Sequence, residues 1–338
     1  MRYLQKFSTA SSSRKGMFGR VLKALAGATL TISVLLASPA IAAEKPLQIG
    51  VPLWVGWTPW YVVQANEMLK KAHVNAELKF FGVQSEARVA LASGNLDLCA
   101  LATNDVVTIN ANGQVASIIA LNDESAGADI MITRGIESGK DLKGKKIGVE
   151  VGGVSNLLLD AILQKNGYTE SDVDIVNMSA EDAGTAFVAK AIDASVTWEP
   201  FASQGIAAGG KALYTSKDTP GLIVDVMAAR DDVLKTRGEE VKKVLAVWFA
   251  ALKAVMTDPD ANFPIMAKGA GVSVADFKPM WEGVHMYDEA ETKEALGTPE
   301  KPGPYYETVQ TTVDFMVAHK LIDAPVPVSS MVTDDYLP

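Results

Sequence analysis

Twice between Leu47 and Trp198 the chain passes from a short apolar run through a helix-period segment to a second apolar run, and this repetition limits the fold more than any other feature. In the first pass Val74–Phe81 reads as a strand, Ser85–Ala92 as a helix opened by a capping serine, and Leu96–Leu101 as a strand. In the second, Val173–Met178, Ala180–Ala189 and Ala194–Trp198 repeat strand, helix, strand. Superposing Asp97 on Asp193 aligns Leu96-Asp97-Leu98 with Ile192-Asp193-Ala194, each closing a helix and entering a strand. This is a weak internal repeat and not a solenoid. Alternating strands and helices call for α/β layers with largely parallel sheets, and two such units predict two lobes facing a cleft.

The remaining segments fit the same grammar. Leu47–Leu53 predicts a strand and Tyr61–Lys71 a helix, with Val62, Ala65 and Leu69 on one face. Val115–Leu121 and Ala128–Thr133 read as strands separated by a polar, flexible Asn122–Gly127. Lys145–Val149 reads as a strand leading through Gly152-Gly153 into a helix over Ser155–Lys165. Leu222–Ala229 looks like a strand returning to the first lobe. After it, Glu239–Met256, Ala261–Lys268, Val274–Glu282 and Pro304–Lys320 form a helical C-terminal addition.

The first 42 residues hold six basic side chains, Arg2, Lys6, Arg14, Lys15, Arg20 and Lys23, and no acid. An apolar run from Ala24 to Leu36 and the small-x-small pattern Ala40-Ile41-Ala42 complete an export signal over residues 1–42. The apolar run falls short of the roughly 20 residues that span a bilayer. Cleavage after Ala42 takes the formal charge from −9 to −15, because all 40 acids and 25 of the 31 bases remain. Such a surface repels nucleic acid and anionic lipid. Cys99 is the single cysteine, so an exported chain relies on packing without an internal disulfide; its apolar neighbours make it a buried structural residue.

In doubly wound sheets ligands sit beyond the carboxyl ends of strands. The loop Trp54-Val55-Gly56-Trp57-Thr58-Pro59-Trp60-Tyr61 holds three of the six tryptophans. Indole faces at a cleft hold apolar or cationic groups, or else they anchor the loop to the core. The corresponding loop of the second lobe is Thr197-Trp198-Glu199-Pro200, where Glu199 faces the cleft or caps the next helix. Thr103-Asn104-Asp105 and Gly152-Gly153-Val154-Ser155-Asn156 offer hydroxyl and N–H donors, or simple caps. Neither GxxxxGK[ST] nor GxGxxG spacing is present, which argues against nucleotide binding. Asp105, Asp123, Asp129, Glu150, Glu199 and Asp225 gather near these loops with few bases beside them. Paired carboxylates and aromatic faces stabilise a desolvated cation, so the expected ligand is small and carries a positively charged nitrogen. Asp129 and Asp225 enter the candidate site on this charge argument. His73, His285 and His319 are far apart and read as surface or packing residues, with no HExxH, cysteine pair or GxSxG; no metal, cofactor or catalytic residue is expected.

Ser93-Gly94-Asn95-Leu96-Asp97, Asp141-Leu142-Lys143-Gly144-Lys145-Lys146-Ile147-Gly148 and Asp193-Ala194-Ser195-Val196-Thr197-Trp198-Glu199-Pro200 resemble the nitrate/taurine/sulfonate family of ABC-transporter solute-binding proteins over roughly Pro46 to Pro338. The resemblance implies a two-lobed type II periplasmic-binding fold with two crossing strands, near Ile130–Thr133 and Val224–Ala229. Lobe 1 would be residues 46–130 plus 230–338, and lobe 2 residues 131–229. It further implies a periplasmic monomer that hands a small solute to an inner-membrane permease and its ATPase, and hydrolyses nothing. Carried over onto this chain, the ligand-binding positions are Trp54, Trp57, Trp60, Thr103, Asn104, Ser155, Trp198 and Glu199. Gly56-Trp57-Thr58-Pro59-Trp60 is similar to the loop of members associated with urea-carboxylase regions, which points to amidines. Taurine or an alkanesulfonate is the alternative within the family. An enzyme resembling the thiamine-pyrimidine synthase is the competing class, although Cys99 alone does not match that enzyme's cysteine-rich stretch.

Overall fold

A computed structural model describes residues 45–298 and 301–338; the export signal expected over residues 1–42 lies outside them. The strands are β1 (Leu47–Pro52), β2 (Ala76–Phe81), β3 (Leu98–Ala102), β4 (Ala116–Ser125), β5 (Asp129–Thr133), β6 (Lys146–Val149), β7 (Asp174–Asn177), β8 (Ala194–Trp198), β9 (Lys211–Thr215), β10 (Val224–Arg230) and β11 (Val284–Met286). The helices are α1 (Pro59–Ala65), α2 (Met68–Lys71), α3 (Gln84–Ala92), α4 (Thr103–Ala111), α5 (Val154–Lys165), α6 (Ala180–Val188), α7 (Phe201–Ala207), α8 (Asp231–Thr257), α9 (Pro259–Ala270), α10 (Val274–Trp281), α11 (Glu289–Leu296) and α12 (Tyr305–Ala318).

Two sheets organise these elements, one ordered β11-β4-β10-β3-β1-β2 and the other β7-β6-β8-β5-β9. Each is built around a parallel trio, β2-β1-β3 and β7-β6-β8. Each trio then takes one antiparallel strand supplied from the other side of the chain, β10 beside β3 and β5 beside β8. β3 and β8, each enclosed between the central strand of its trio and the inserted antiparallel strand, are unbroken buried runs.

The superposition of Asp97 on Asp193 holds in three dimensions. Asp97 Oδ2 accepts from Gln48 N–H of β1 at 2.9 Å, and Asp193 Oδ2 accepts from Lys146 N–H of β6 at 2.9 Å. The glycines two residues further along match as well. A Cβ at Gly50 would lie 2.5 Å from Leu96 Cδ1, and one at Gly148 would lie 2.6 Å from Ile192 Cδ1. Only glycine lets each helix-to-strand corner close on its central strand.

Several boundaries differ from expectation for physical reasons. Tyr61–Lys71 is two helices, α1 and α2, because Glu67 takes φ 50° between them. Ser85 lies inside α3 and caps nothing; the residue before the helix is Val83. The stretch Asn122–Gly127, expected as a flexible loop, is strand as far as Ser125, because β4 is flanked by β10 and β11. β10 does return to the first sheet as Leu222–Ala229 was read, hydrogen-bonded between β3 and β4, while β5 from Asp129 onward belongs to the second sheet. The two exchanges therefore fall at residues 126–128 and 216–223. They are tied together by Ser125 and Ser216, whose hydroxyls lie 2.8 Å apart, and by Gly127 N–H donating to Ser216 Oγ at 2.6 Å.

Candidate functional site

The loop after β1 enters a short 3-10 turn over Val55–Trp57, then α1 with Pro59 at its first position. This directs the three indoles differently. Trp54 meets Trp198 of the second sheet edge to face, with ring centroids 6.4 Å apart at 83°, and Trp57 at 6.5 Å and 62°. Trp60 turns away and stacks on Trp248 of α8 at 5.1 Å, a core contact. Of the tryptophans expected at the site, Trp54, Trp57 and Trp198 come together and Trp60 does not join them.

Trp54 Nε1–H donates to Asp123 Oδ1 at 2.9 Å, and Asp123 is fully buried. Gly56 makes room for this acid: a Cβ there would lie 2.1 Å from Asp123 Oδ2. Asp123 pairs in register with Asp225 across β4 and β10, next to an irregularity that skips Asn122. Bulges of this kind re-aim side chains near functional sites. Asp225 in turn faces Ala102 at the end of β3, and Asp129 faces Trp198 at the end of β8. The two added antiparallel strands thus each bring an aspartate to the carboxyl end of the neighbouring strand.

Asp123, Asp129 and Asp225 are at most 4% exposed, and among the described residues none has an ion-pair partner. Burial pushes the Asp129 carboxyl up to about 7, against which the Ser125 hydroxyl works. Burial also raises Asp225 well above the usual carboxylate range, reinforced by Asp123, Asp129 and Asp105. Burial likewise pushes the Asp123 carboxyl up to about 7, with the Trp54 hydrogen bond and the neighbouring Asp225 opposing. Asp123 Oδ2, Asp129 Oδ2, both side-chain atoms of Asn122 and the Trp57 and Trp198 Nε1–H groups have no protein partner. Trp60 and Trp248 Nε1–H in the core lack a protein partner as well, but buried polar atoms are otherwise almost always satisfied, and the concentration around Asp123 and Asp129 makes these residues the candidate binding site. Among the described residues, no group of three or more His, Cys, Asp or Glu is arranged to hold a metal ion.

The other expected positions divide. Thr103 opens α4 and donates to Val224 O at 2.8 Å, while its oxygen lies 2.7 Å from Tyr305 Oη. Asn104 Nδ2 donates to Gly152 O at 2.9 Å, joining α4 to the loop before α5. Ser155 is fully buried and accepts from Glu150 N–H at 3.1 Å, a loop-closing role. Glu199 accepts from Ser203 N–H and Oγ–H, so it caps the start of α7 and is not held at the acids. At the rim, Arg88 pairs with Asp105 at 2.8 Å, and Glu150 is pushed up to about 7 by burial and by Asp105 and Glu181, with Arg88 opposing. Asn122 and Tyr305 were missed. Asn122 was hidden in a stretch read as loop, and Tyr305 lies about 200 positions from its partner with no local pattern to reveal it.

The family model described as NMT1/THI5 like matches residues 54–262. The taurine-binding periplasmic protein of Escherichia coli (strain K12) is 23% identical over 279 residues, covering 78% of this chain and 87% of that protein. A Brucella abortus (strain 2308) protein provisionally named a binding protein is 27% identical over 252 residues, 72% of this chain and 77% of that one. Among solved structures, the alkanesulfonate-binding protein SsuA from Xanthomonas axonopodis pv. citri bound to MOPS matches with a TM-score of 0.73 at 18% identity, covering 86% of this chain and 99% of that chain. The periplasmic aliphatic sulphonate binding protein SsuA from Escherichia coli matches with a TM-score of 0.71 at 18% identity, covering 85% and 92%. The architecture is therefore the two-sheet periplasmic-binding fold that the sequence resemblance implied. With well over half of its length matched by the family model, the chain belongs to the NMT1/THI5-like family and has the fold of its periplasmic solute-binding members.

Proposed function

We propose that the chain is the solute-capturing component of an ABC importer, closing two lobes over a small molecule that carries a protonated amine or amidine and passing it unaltered to an inner-membrane permease and its ATPase. The lobes are those expected from the sequence, with their borders moved to residues 126–128 and 216–223 on strand membership. The ligand residues are Trp54, Trp57, Trp198, Asp123, Asp129 and Asp225, with Thr103 and Asn104 beside them.

One observation carries the ligand class: three carboxyl groups buried together without a base. Ionising them in isolation is costly, which is why burial raises all three carboxyls above the usual range. A cation with several N–H groups supplies both the missing charge and the missing donors, and indole rings favour the same charge. Capture and export are supported by relatives named as periplasmic binding proteins. The same names support our reading that this chain is not an enzyme; pyrimidine product from the pure protein with iron and pyridoxal phosphate would contradict it.

A second reading, an alkanesulfonate, is favoured by the names of the relatives. It requires the carboxyl groups to stay protonated and donate to the sulfonate. Proton linkage separates the two. With Asp129 near 7, the cation gains affinity as pH rises and the protons leave, by about tenfold per proton between pH 6 and 8. Calorimetry with acetamidine, ethylamine and ethanesulfonate at both pH values tests this. Ethanesulfonate binding that tightens on acidification, with acetamidine and ethylamine silent, would replace the first reading by the second.

A further inference from the structure

His319 caps the carboxyl end of α12 and stands between two acids. Its Nε2 lies 3.3 Å from Asp160 Oδ1 on α5, and its Nδ1 lies 3.5 Å from Glu170 Oε1 in the 3-10 turn Glu170–Asp172. The Phe315 ring packs 4.4 Å away on the same helix, and the flanking Lys320 and Asp323 are exposed. A neutral imidazole has one N–H, so one of these carboxylates would face a lone pair; the imidazolium donates to both. At 21% exposure for His319 and 10% for Asp160, the group is sheltered more than a typical surface ion pair.

The acids are not isolated. Gln164 donates to Asp160, and Asn156 donates to the same Glu170 oxygen that faces His319. Asn156 Oδ1 accepts from Gly152 N–H at 3.1 Å, and Gly152 O accepts from Asn104 at the site at 2.9 Å. A continuous polar path therefore runs from His319 to α4. It crosses twice between α4, which packs on the first sheet and carries α12 against it, and α5 with its preceding loop, where α5 packs on the second sheet.

Resting on the capture reading above, we infer that His319 is a positioning residue for capture. As an imidazolium it pins α12 to α5 and, through Glu170 and Asn156, fixes the Gly152 carbonyl that Asn104 holds. Closure is then assisted while an imidazolium bridges Asp160 and Glu170, and eased when a side chain that cannot donate to both stands in its place.

The experiment compares wild type with His319→Gln and His319→Arg at pH 5.5 and 8, using calorimetry with acetamidine and with ethanesulfonate, and small-angle scattering of the ligand-free protein. His319→Gln is expected to weaken whichever probe binds by about fivefold at pH 5.5 and by less than about twofold at pH 8. His319→Arg, charged at both, should keep wild-type affinity at pH 5.5. Wild type should expand between pH 5.5 and 8, with His319→Gln already expanded at the lower value. An equal loss at both pH values, or no loss, overturns the inference in favour of plain packing. Should neither probe bind while scattering still follows His319, the pinning stands and the capture reading falls. If His319→Gln fails to fold, the pH response of wild type against His319→Arg decides: a like response in both overturns the inference.

Discussion

The two sheets share a chassis and differ in what they carry at its edge. Gly50 and Gly148, Asp97 and Asp193, and the inserted strands β10 and β5 occupy matching places, down to hydrogen bonds of the same length from the central strand to each aspartate. The inserted strands even deliver an acid to the same point, Asp225 beside Ala102 and Asp129 beside Trp198. The departure lies in the partner residue: a small alanine on one side leaves room for Asp123 and the Trp54 loop, whereas a large indole closes the other side. The repeated part builds the frame, and the part that breaks the repeat forms the site.

The largest test of this comparison is to remove the matched acids. Asp129→Asn and Asp225→Asn should each lower acetamidine affinity by at least about a hundredfold in calorimetry, since each takes away a buried counter-charge. The same changes should raise the melting temperature of the ligand-free protein at pH 7.5. The sign follows from linkage: Asp129 binds its proton more tightly folded, near 7, than unfolded, near 3.8. Its contribution to stability is present below pH 3.8 and is lost as pH rises toward 7, and asparagine does not titrate. A variant that is less stable at pH 7.5 and binds normally would show that these acids are structural.

Next come the matched glycines. Gly50→Ala and Gly148→Ala should each cost about 2 kcal/mol in urea unfolding, because both added methyl groups overlap a buried neighbour. Strongly unequal costs would break the equivalence of the two frames. Trp198→Ala should then weaken acetamidine binding by about tenfold and reduce the fluorescence change on binding, while Trp60→Ala should act on stability alone. The smallest effect sharpens the comparison: Asp97→Ala should cost about 1 kcal/mol and Asp193→Ala less, since Asp193 is exposed and water replaces it more readily.

The frame was legible because apolar periodicity and the Asp97/Asp193 match are local patterns that burial enforces. Ala194–Trp198 was placed to the residue. The site was legible only in part. Asn122 to Ser125 look like loop because they are polar, yet they are strand, held by neighbours on both sides. Polar residues in a buried strand are what a binding site requires, so the usual inference from polarity to loop fails there. Trp60 and Glu199 sit in the right motifs but turn to the core and to a helix cap, a choice made by packing against Trp248 and by the Ser203 N–H. His319 carried no local sign of its two acids, which arrive from α5 and the turn after it, about 150 positions away.

The placement of β10 also governs the order in which the molecule can be assembled. The centre of the first sheet, between β3 and β4, stays open until a segment more than a hundred positions later has been made and threaded back. A ribosome delivers the amino terminus first, so half of this sheet must wait as an unfinished intermediate while the entire second sheet is synthesised. Cutting the gene after the second sheet would accordingly yield no miniature version of the protein, only a first half with a gap down its middle.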